Sequence, residues 1–562
     1  MLGQACGRPS GHGPVPAVDR LAGLGTRTFV RIDGETRPSV LLRSGERRSC
    51  AVVLGPRSRL RFSLAVLEGA PSDATHVQLR IIVDGRVAFH HRFALKGHEG
   101  FWHRQISLTG EGPARLEVAA DVFPEPQTPG KPCIALASPR IEGAPPARPR
   151  TVLWISQDTV RADHLGAFGY ERATSPGFDR RSSGWVVFEN AVAPSSWTLP
   201  SVASQFLSRY PSYHGAVMET LAANDTPTLF EALGAAGFTV VGVTGNPYIS
   251  YERSLARGFD VLFETDGRAD DVNRLLLGAP DLPVEGDLAL FVHYMDPHVP
   301  YAPPPPYNRL FADPGYRGHV DGGTNFFKRH PVIDRADTRH LKALYDGELA
   351  YTDARISSLL DALRDRGLLR DPVIAYTADH GEEFHDHGYW GHSRTLYEEL
   401  VHVPLALRLP GVPGRRVAQT VSLVDLAPTL LDLLQLPAPP AFQGRSLLPL
   451  ARGKHLPDLP AFAETILTPD RNHLVAARHG NHKYIVAVPR GVGQAPVPLR
   501  EEVYDLARDP GERVSDLTLD GVPALRQRTL AYLSRARRQV PGPPALVDPH
   551  AIEKLRAWGY IQ

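Results

Sequence analysis

The chain has little cysteine, almost no net charge and no long apolar run, and each shortage excludes something. Its 562 residues include only three cysteines, Cys6, Cys50 and Cys133. Their spacing fits neither a zinc finger nor a disulfide framework, and none marks a catalytic thiol. Acidic and basic side chains nearly cancel to a formal charge of +1, so the field expected of a nucleic-acid binder or an acidic-membrane binder is missing. No apolar stretch is long enough to cross a bilayer, and the opening MLGQACGRPSGHG lacks the charged and apolar regions of a secretory signal.

Taken as written, the chain reads as cytoplasmic. Ala5-Cys6-Gly7 is similar to the end of a lipoprotein signal, so a start truncated upstream would make the protein periplasmic or a lipoprotein. Its length exceeds what one core supports and implies two or three domains. Composition and periodicity divide it into a disordered lead or signal remnant (1–27), a β-sandwich (28–141), a Pro/Arg-rich linker EGAPPARPR (142–150), a large α/β domain (151–452) and a small α+β subdomain with a terminal helix (453–562).

In the sandwich region, Leu60, Phe62, Leu64 and Val66 alternate with polar residues, and Asp84-Gly85 separates two β-prone runs as a hairpin turn would. Such a domain fits passive docking or ligand binding, and no cluster of exposed aromatics marks a carbohydrate site. After Thr151 the pattern changes class. The apolar runs TVLWISQD, FTVVGVTGN, LALFVHYMD and VIAYTAD alternate with helical segments, including one that places Ile356, Leu359, Leu360 and Leu363 on one face. This is the α/β pattern of a mostly parallel sheet flanked by helices. The Pro/Gly-rich stretch after His298 reads as a substrate lid. The text after VSLVDLAPTLLDLLQL, itself helical in pattern, returns to antiparallel strands, and the closing HAIEKLRAWGYIQ is amphipathic through Ile552, Leu555 and Trp558.

Ligands of open α/β sheets bind beyond the carboxyl ends of the strands. Three strand ends deliver polar groups there: Asp158, then Asp296 with His298 just after it, then Asp379-His380 with His385, His387 and His392 beyond. Asp and His donors without thiols suit a borderline or hard divalent ion. Thr198 opens the helical segment TLPSVASQF, where free N–H groups and the helix dipole favour an anion. A threonine there also fits a simple helix cap. As a nucleophile it needs a metal, because an unassisted hydroxyl is scarcely ionised at neutral pH. Arg161, Asp163 and His164 read as supporting or packing residues.

The motifs ISQDTVRADHLGAFGY, SSWTLPSVAS, RYPSYHG, HYMDPHVPY, TADHGEEF and WGHSRTLYEELVHVPL, in this order, resemble the sulfatase branch of the alkaline phosphatase superfamily. FQGRSLLP, EEVYDL and LRAWGY extend the likeness to the end, leaving the sandwich outside it. The resemblance implies Asp158, Asp379 and His380 as metal ligands and Thr198 as a nucleophile that also touches the metal. It implies His298 and His392 as residues that hold the substrate anion or protonate the leaving group. Thr159 stands where many sulfatases carry a second aspartate, which favours Zn²⁺ or Mn²⁺ over the still admissible Ca²⁺ or Mg²⁺.

Sulfatases of the main type place a formylglycine-forming Cys or Ser at the nucleophile and an arginine shortly after it. Here Thr198 and Val202 stand instead, so no formylglycine is expected. Threonine at this place resembles phosphoryl-transfer relatives such as nucleotide pyrophosphatase/phosphodiesterases. The expectation is a hydrolase of phosphate or phosphonate esters, with sulfuric ester hydrolysis as the alternative and non-catalytic glycan binding as a third reading. The substrate is expected to be a small-molecule, glycan or lipid ester, with no nucleic-acid partner; nothing in the sequence speaks to oligomeric state.

Overall fold

The computed structural model describes residues 18–536 except 68–73, 97–99, 125–132, 218–219, 221, 223–224, 281, 284, 325–332 and 492–495. The terminal helix expected around Ile552, Leu555 and Trp558 lies outside the described residues. The chain divides into two units, Met1–Pro149 with Ala235–Phe238, and Arg150–Gly234 with Thr239–Gln562.

In the first unit, strands with alternating burial, clearest in His76–Val83, build two antiparallel sheets. One orders the strands Arg27–Ile32, Glu35–Leu42, Ile134–Glu142, Arg59–Val66 and Trp102–Ser107. The other orders Glu46–Leu54, Gly112–Phe123, His76–Val83 and Arg86–Ala94. The core holds Leu64, Leu79, Ile81, Leu116 and Ile134. Asp84 and Gly85 form the expected hairpin turn, both at positive φ (47° and 79°), where Asp is tolerated and Gly is free of strain. Cys50 and Cys133 are buried.

The second unit carries an α/β sheet in the order Arg415–Val417, Val186–Val192, His402–Arg408, Val373–Ala378, Thr151–Gln157, Leu288–Tyr294, Thr239–Thr244 and Val261–Glu264. Of these, only His402–Arg408 runs antiparallel to its neighbours. The three central strands end level, because Gln157 pairs in register with Tyr294 on one side and Ala378 on the other.

Side chains two apart on a strand share a face. Trp154 and Phe291 point to one face and pack against Phe206 of the helix Thr198–Leu207, at ring-centroid distances of 5.5 and 5.0 Å. Phe230 and Phe259 complete this aromatic cluster. The helix is thereby pinned at its far end, and its first residue is carried to the carboxyl edge of the sheet. Tyr294 lies on the opposite face, where its hydroxyl donates to Asn273 of the helix Ala269–Gly278.

The long helix Arg335–Asp365 starts at a capping box between Asp334 and Asp337. The segment VSLVDLAPTLLDLLQL is helical only from Leu423: Val421–Ser422 is a short strand, and Ser422 caps the turn that follows. Ala461–Thr465, His473–His479, His482–Val488 and Arg500–Asp505 form the expected antiparallel sheet, covered by the helix Val522–Ala536. Among the described residues no helix is long and apolar enough to cross a membrane.

Candidate metal centre and active site

Asp158 and Asp379 are the first residues beyond two adjacent parallel strands in register, so their carboxylates leave the sheet side by side. Both are fully buried, as are Thr198, His293 and His380. His380 Nδ1 donates to the carbonyl of Gly381 at 2.8 Å, which leaves the Nε2 lone pair facing the carboxylates. That nitrogen lies 3.6 Å from Asp158 Oδ1, 3.5 Å from Asp379 Oδ2 and 3.3 Å from Thr198 Oγ1. Four ligands held about 2.0–2.2 Å from a tetrahedral ion are about 3.3–3.6 Å apart, so this spacing is that of a coordination shell.

The same two oxygens, Asp158 Oδ1 and Asp379 Oδ2, have no hydrogen-bond partner. An unpaired buried carboxylate oxygen is costly. Burial, and next the neighbouring Asp379 carboxylate, push the Asp158 carboxyl well above its ordinary range, while burial lowers His380 and keeps its imidazole neutral. A divalent cation at this point would relieve both the repulsion and the missing partners. The residues present therefore fit a metal ion.

Thr198 does not cap its helix. The cap position is Trp197, with no side-chain bond, and the Thr198 hydroxyl instead turns to Asp158 Oδ2 at 3.5 Å and to His380. Ser201, one turn on, donates to the main-chain oxygen of Asp379 at 2.6 Å and ties the helix to the ligand loop. Asn246 donates to Asp158 Oδ2 at 2.8 Å and fixes that carboxylate.

His392 and His298 stand beside this group. The His392 ring is 4.5 Å from that of His380 and 5.1 Å from that of His298. His392 Nδ1 donates to Glu382 at 2.9 Å, and Glu382 also accepts from the Tyr301 hydroxyl at 3.0 Å. His298 Nδ1 donates to the carbonyl of Val299 at 2.8 Å. Burial pushes His392 down to about 4 and His298 to about 3, so both are neutral at pH 7.

Other residues raised by the sequence lie elsewhere. Asp296 falls on the opposite face from Asp158, where its carboxylate accepts from the N–H of Ala269 at 3.0 Å and anchors the start of that helix. His385 stacks on Trp390. His387 bonds Glu399 at 2.6 Å and stacks on Tyr397. Arg161 pairs with Asp163 and Asp386, and His164 with Asp346.

Three residues were not foreseen: Asn246, Glu382 and His293. His293 stands in register with Ser156, two residues before Asp158, and so shares that side chain's face. Its Nε2 lies 3.7 Å from Asp158 Oδ2, and Asp158, His293 and Asp379 each offer a ligand atom within 4.8 Å of the others. Period-two counting back from the strand end places His293, and not Asp296, on the face of Asp158.

The family model described as Sulfatase matches residues 150–436. Arylsulfatase K of Homo sapiens is 36% identical over 118 residues, 21% of this chain and 22% of that protein. Arylsulfatase K of Gallus gallus is 37% identical over 127 residues, 22% of this chain and 24% of that protein. The matched stretch thus spans less than a quarter of the length of these curated relatives. Among solved structures, the phosphonate monoester hydrolase of Agrobacterium radiobacter shares the fold with a TM-score of 0.54 at 20% identity, covering 69% of this chain and 95% of that one. A 2-O GAG sulfatase does so at 0.55 and 20% identity, covering 72% and 100%.

Proposed function

The chain belongs to the sulfatase family, and from that premise we propose that it is a divalent-metal-dependent ester hydrolase that uses Thr198 as nucleophile on phosphate or phosphonate esters. The observation that carries this reading is the Thr198 hydroxyl, turned away from a capping role and toward Asp158 and His380. Asp158, Asp379 and His380 would hold the ion, with Zn²⁺ or Mn²⁺ favoured by the imidazole. When bound, such an ion lowers the pKa of a hydroxyl beside it and offsets charge on the substrate oxygens.

Thr198 Oγ1 attacks phosphorus in line, its O–P bond forming as the ester P–O bond breaks. Its proton passes to Asp158 Oδ2, an acceptor 3.5 Å from the hydroxyl. The N–H groups of the first helical turn face the equatorial oxygens. His392, its Nδ1–H held by Glu382, has Nε2 as the nitrogen that can pass a proton to the leaving alkoxide. The imidazole is neutral in the resting protein, and the arriving substrate anion raises its proton affinity. Water then attacks the phospho-threonine and gives a proton to the same imidazole, the P–O bond to Thr198 breaks, and the proton held at Asp158 Oδ2 returns to the Thr198 oxygen.

Purified protein loaded with defined metals is assayed against aryl phosphate, phosphodiester, phosphonate ester and aryl sulfate, beside Thr198→Ala. The reading expects turnover of phosphorus esters by wild type alone. Equal rates for wild type and variant would refute the nucleophile. A second reading, sulfuric ester hydrolysis by Thr198 directly, is favoured by the family and by the names of the curated relatives. Turnover of aryl sulfate alone would establish it in place of the first.

A further inference from the structure

His293 has no place in the reaction just described, yet its environment is unusual for an imidazole. It is fully buried, and neither ring nitrogen has a hydrogen-bond partner. Leaving a buried polar atom unpaired costs about 1–3 kcal/mol, so a side chain with two such atoms next to two carboxylates calls for an occupant. Two further facts bear on what it is. Strand register projects His293 onto the same face as Asp158 and Asp379, with its Nε2 3.7 Å from Asp158 Oδ2. Thr159, where the family often has a second carboxylate, brings only a hydroxyl, and that hydroxyl makes no hydrogen bond.

We propose that His293 is a ligand of the same divalent ion held by Asp158, Asp379 and His380, so that two imidazoles and two carboxylates surround it. This rests on the metal-dependent reading above and specifies it. Two carboxylates balance one divalent charge, and the nitrogen donor takes up the position a further carboxylate would fill. Such a shell selects borderline ions such as Zn²⁺, Mn²⁺ or Co²⁺ over Ca²⁺, which takes six to eight oxygen ligands at longer distances.

The test reads metal binding and not turnover. Chelator-stripped full-length protein is titrated with Co²⁺, following visible absorption and competition with a chelator of known affinity. Wild type is compared with His293→Ala, His293→Asn and, as reference, His380→Ala. Loss of a group that only orients a ligand typically costs 10–100-fold in metal affinity, so both His293 variants are expected to bind Co²⁺ at least about 100-fold more weakly and with a shifted band. Millimolar Ca²⁺ is expected to leave the wild-type band unchanged.

Stripped variants that melt with stripped wild type show that folding is not the cause. If His293→Ala fails this check, His293→Asn carries the comparison. Unchanged Co²⁺ affinity and spectrum in a folded His293 variant, with loss in His380→Ala, would overturn the proposal and point to a water beside His293. The hydrolase reading would survive that result. Conversely, full activity in Thr198→Ala would sink the nucleophile assignment and leave the Co²⁺ titration standing.

Discussion

Buried charge is handled in two opposite ways within the α/β unit. Beside the carboxyl-terminal sheet, the Lys483 ammonium lies 3.0 Å from Glu398 and 2.9 Å from Glu512, and Arg478 pairs with Glu398 as well. Two cations meet two anions, and the cluster closes on itself. At the carboxyl edge of the sheet, Asp158 and Asp379 have neighbours of another kind: Thr198, Asn246, His293 and His380, together with main-chain N–H groups. There, two carboxyl groups meet amides, a hydroxyl and imidazole rings. A charge cluster that supplies its own counter-ions is part of the scaffold, whereas one that lacks them is built to receive a cation from outside.

Substituting one residue on each side should separate the roles. Thr198→Ala is expected to lower kcat on the order of 10⁴-fold or more with no change in melting temperature, measured by steady-state kinetics and calorimetry. Lys483→Met leaves two buried carboxylates facing each other and is expected to cost about 3–5 kcal/mol in urea denaturation, while the folded fraction keeps its kcat. If Lys483→Met were neutral in stability, the closed cluster would not be structural.

Acid sharpens the contrast. Against the upward push of burial, Lys483 and Arg478 hold Glu398 down to about 2, so its contribution is present above the ordinary Glu pKa and is lost only as pH falls toward 2. Burial pushes His214, under the Thr198 helix, down to about 3. A buried neutral histidine favours folding fully above the unfolded pKa near 6.5 and progressively less below it. Between pH 6.5 and about 4, stability is therefore expected to fall by a few kcal/mol through histidines and not through Glu398, and His214→Gln should flatten that slope in denaturant titrations.

Chelation acts on the open cluster alone. Removing a metal present at 100 times its Kd is expected to cost about 2.7 kcal/mol, read as a lowered melting temperature that added Zn²⁺ or Mn²⁺ restores. The smallest effect belongs to Asp296→Asn, which should cost no more than about 1 kcal/mol as a helix-start contact and leave metal affinity unchanged. A large loss of affinity there would return Asp296 to the site.

The elements were legible wherever one period dominated. The hairpin at Asp84-Gly85, the run from Val373 to Ala378 and the start of the Thr198 helix all stand where their residues imply. Asp158 and Asp379 stood out as candidates because a carboxylate just past a buried strand has few other uses, and strand register sets the two side by side. Asp296 misled for a geometric reason: one position along a strand is the other face of the sheet, and its carboxylate went to Ala269. His293 was hidden inside an apolar run, where a lone histidine reads as core. The Lys483 cluster was invisible because its partners Glu398 and Glu512 are far apart in sequence, and only the docking of the terminal sheet brings them together.

The bond from Ser201 to Asp379 has one more consequence. Ser201 accepts no help from the Asp379 carboxylate; it donates to the peptide oxygen, a group every residue type would present there. On the ligand-loop side the contact is thus made by main chain, and on the helix side by the Ser201 hydroxyl. Residue 379 could change identity without moving the hydroxyl at 198. A frame of this kind draws nothing from the ligand side chain, so an exchange at 379 changes the donor offered and leaves the spacing intact.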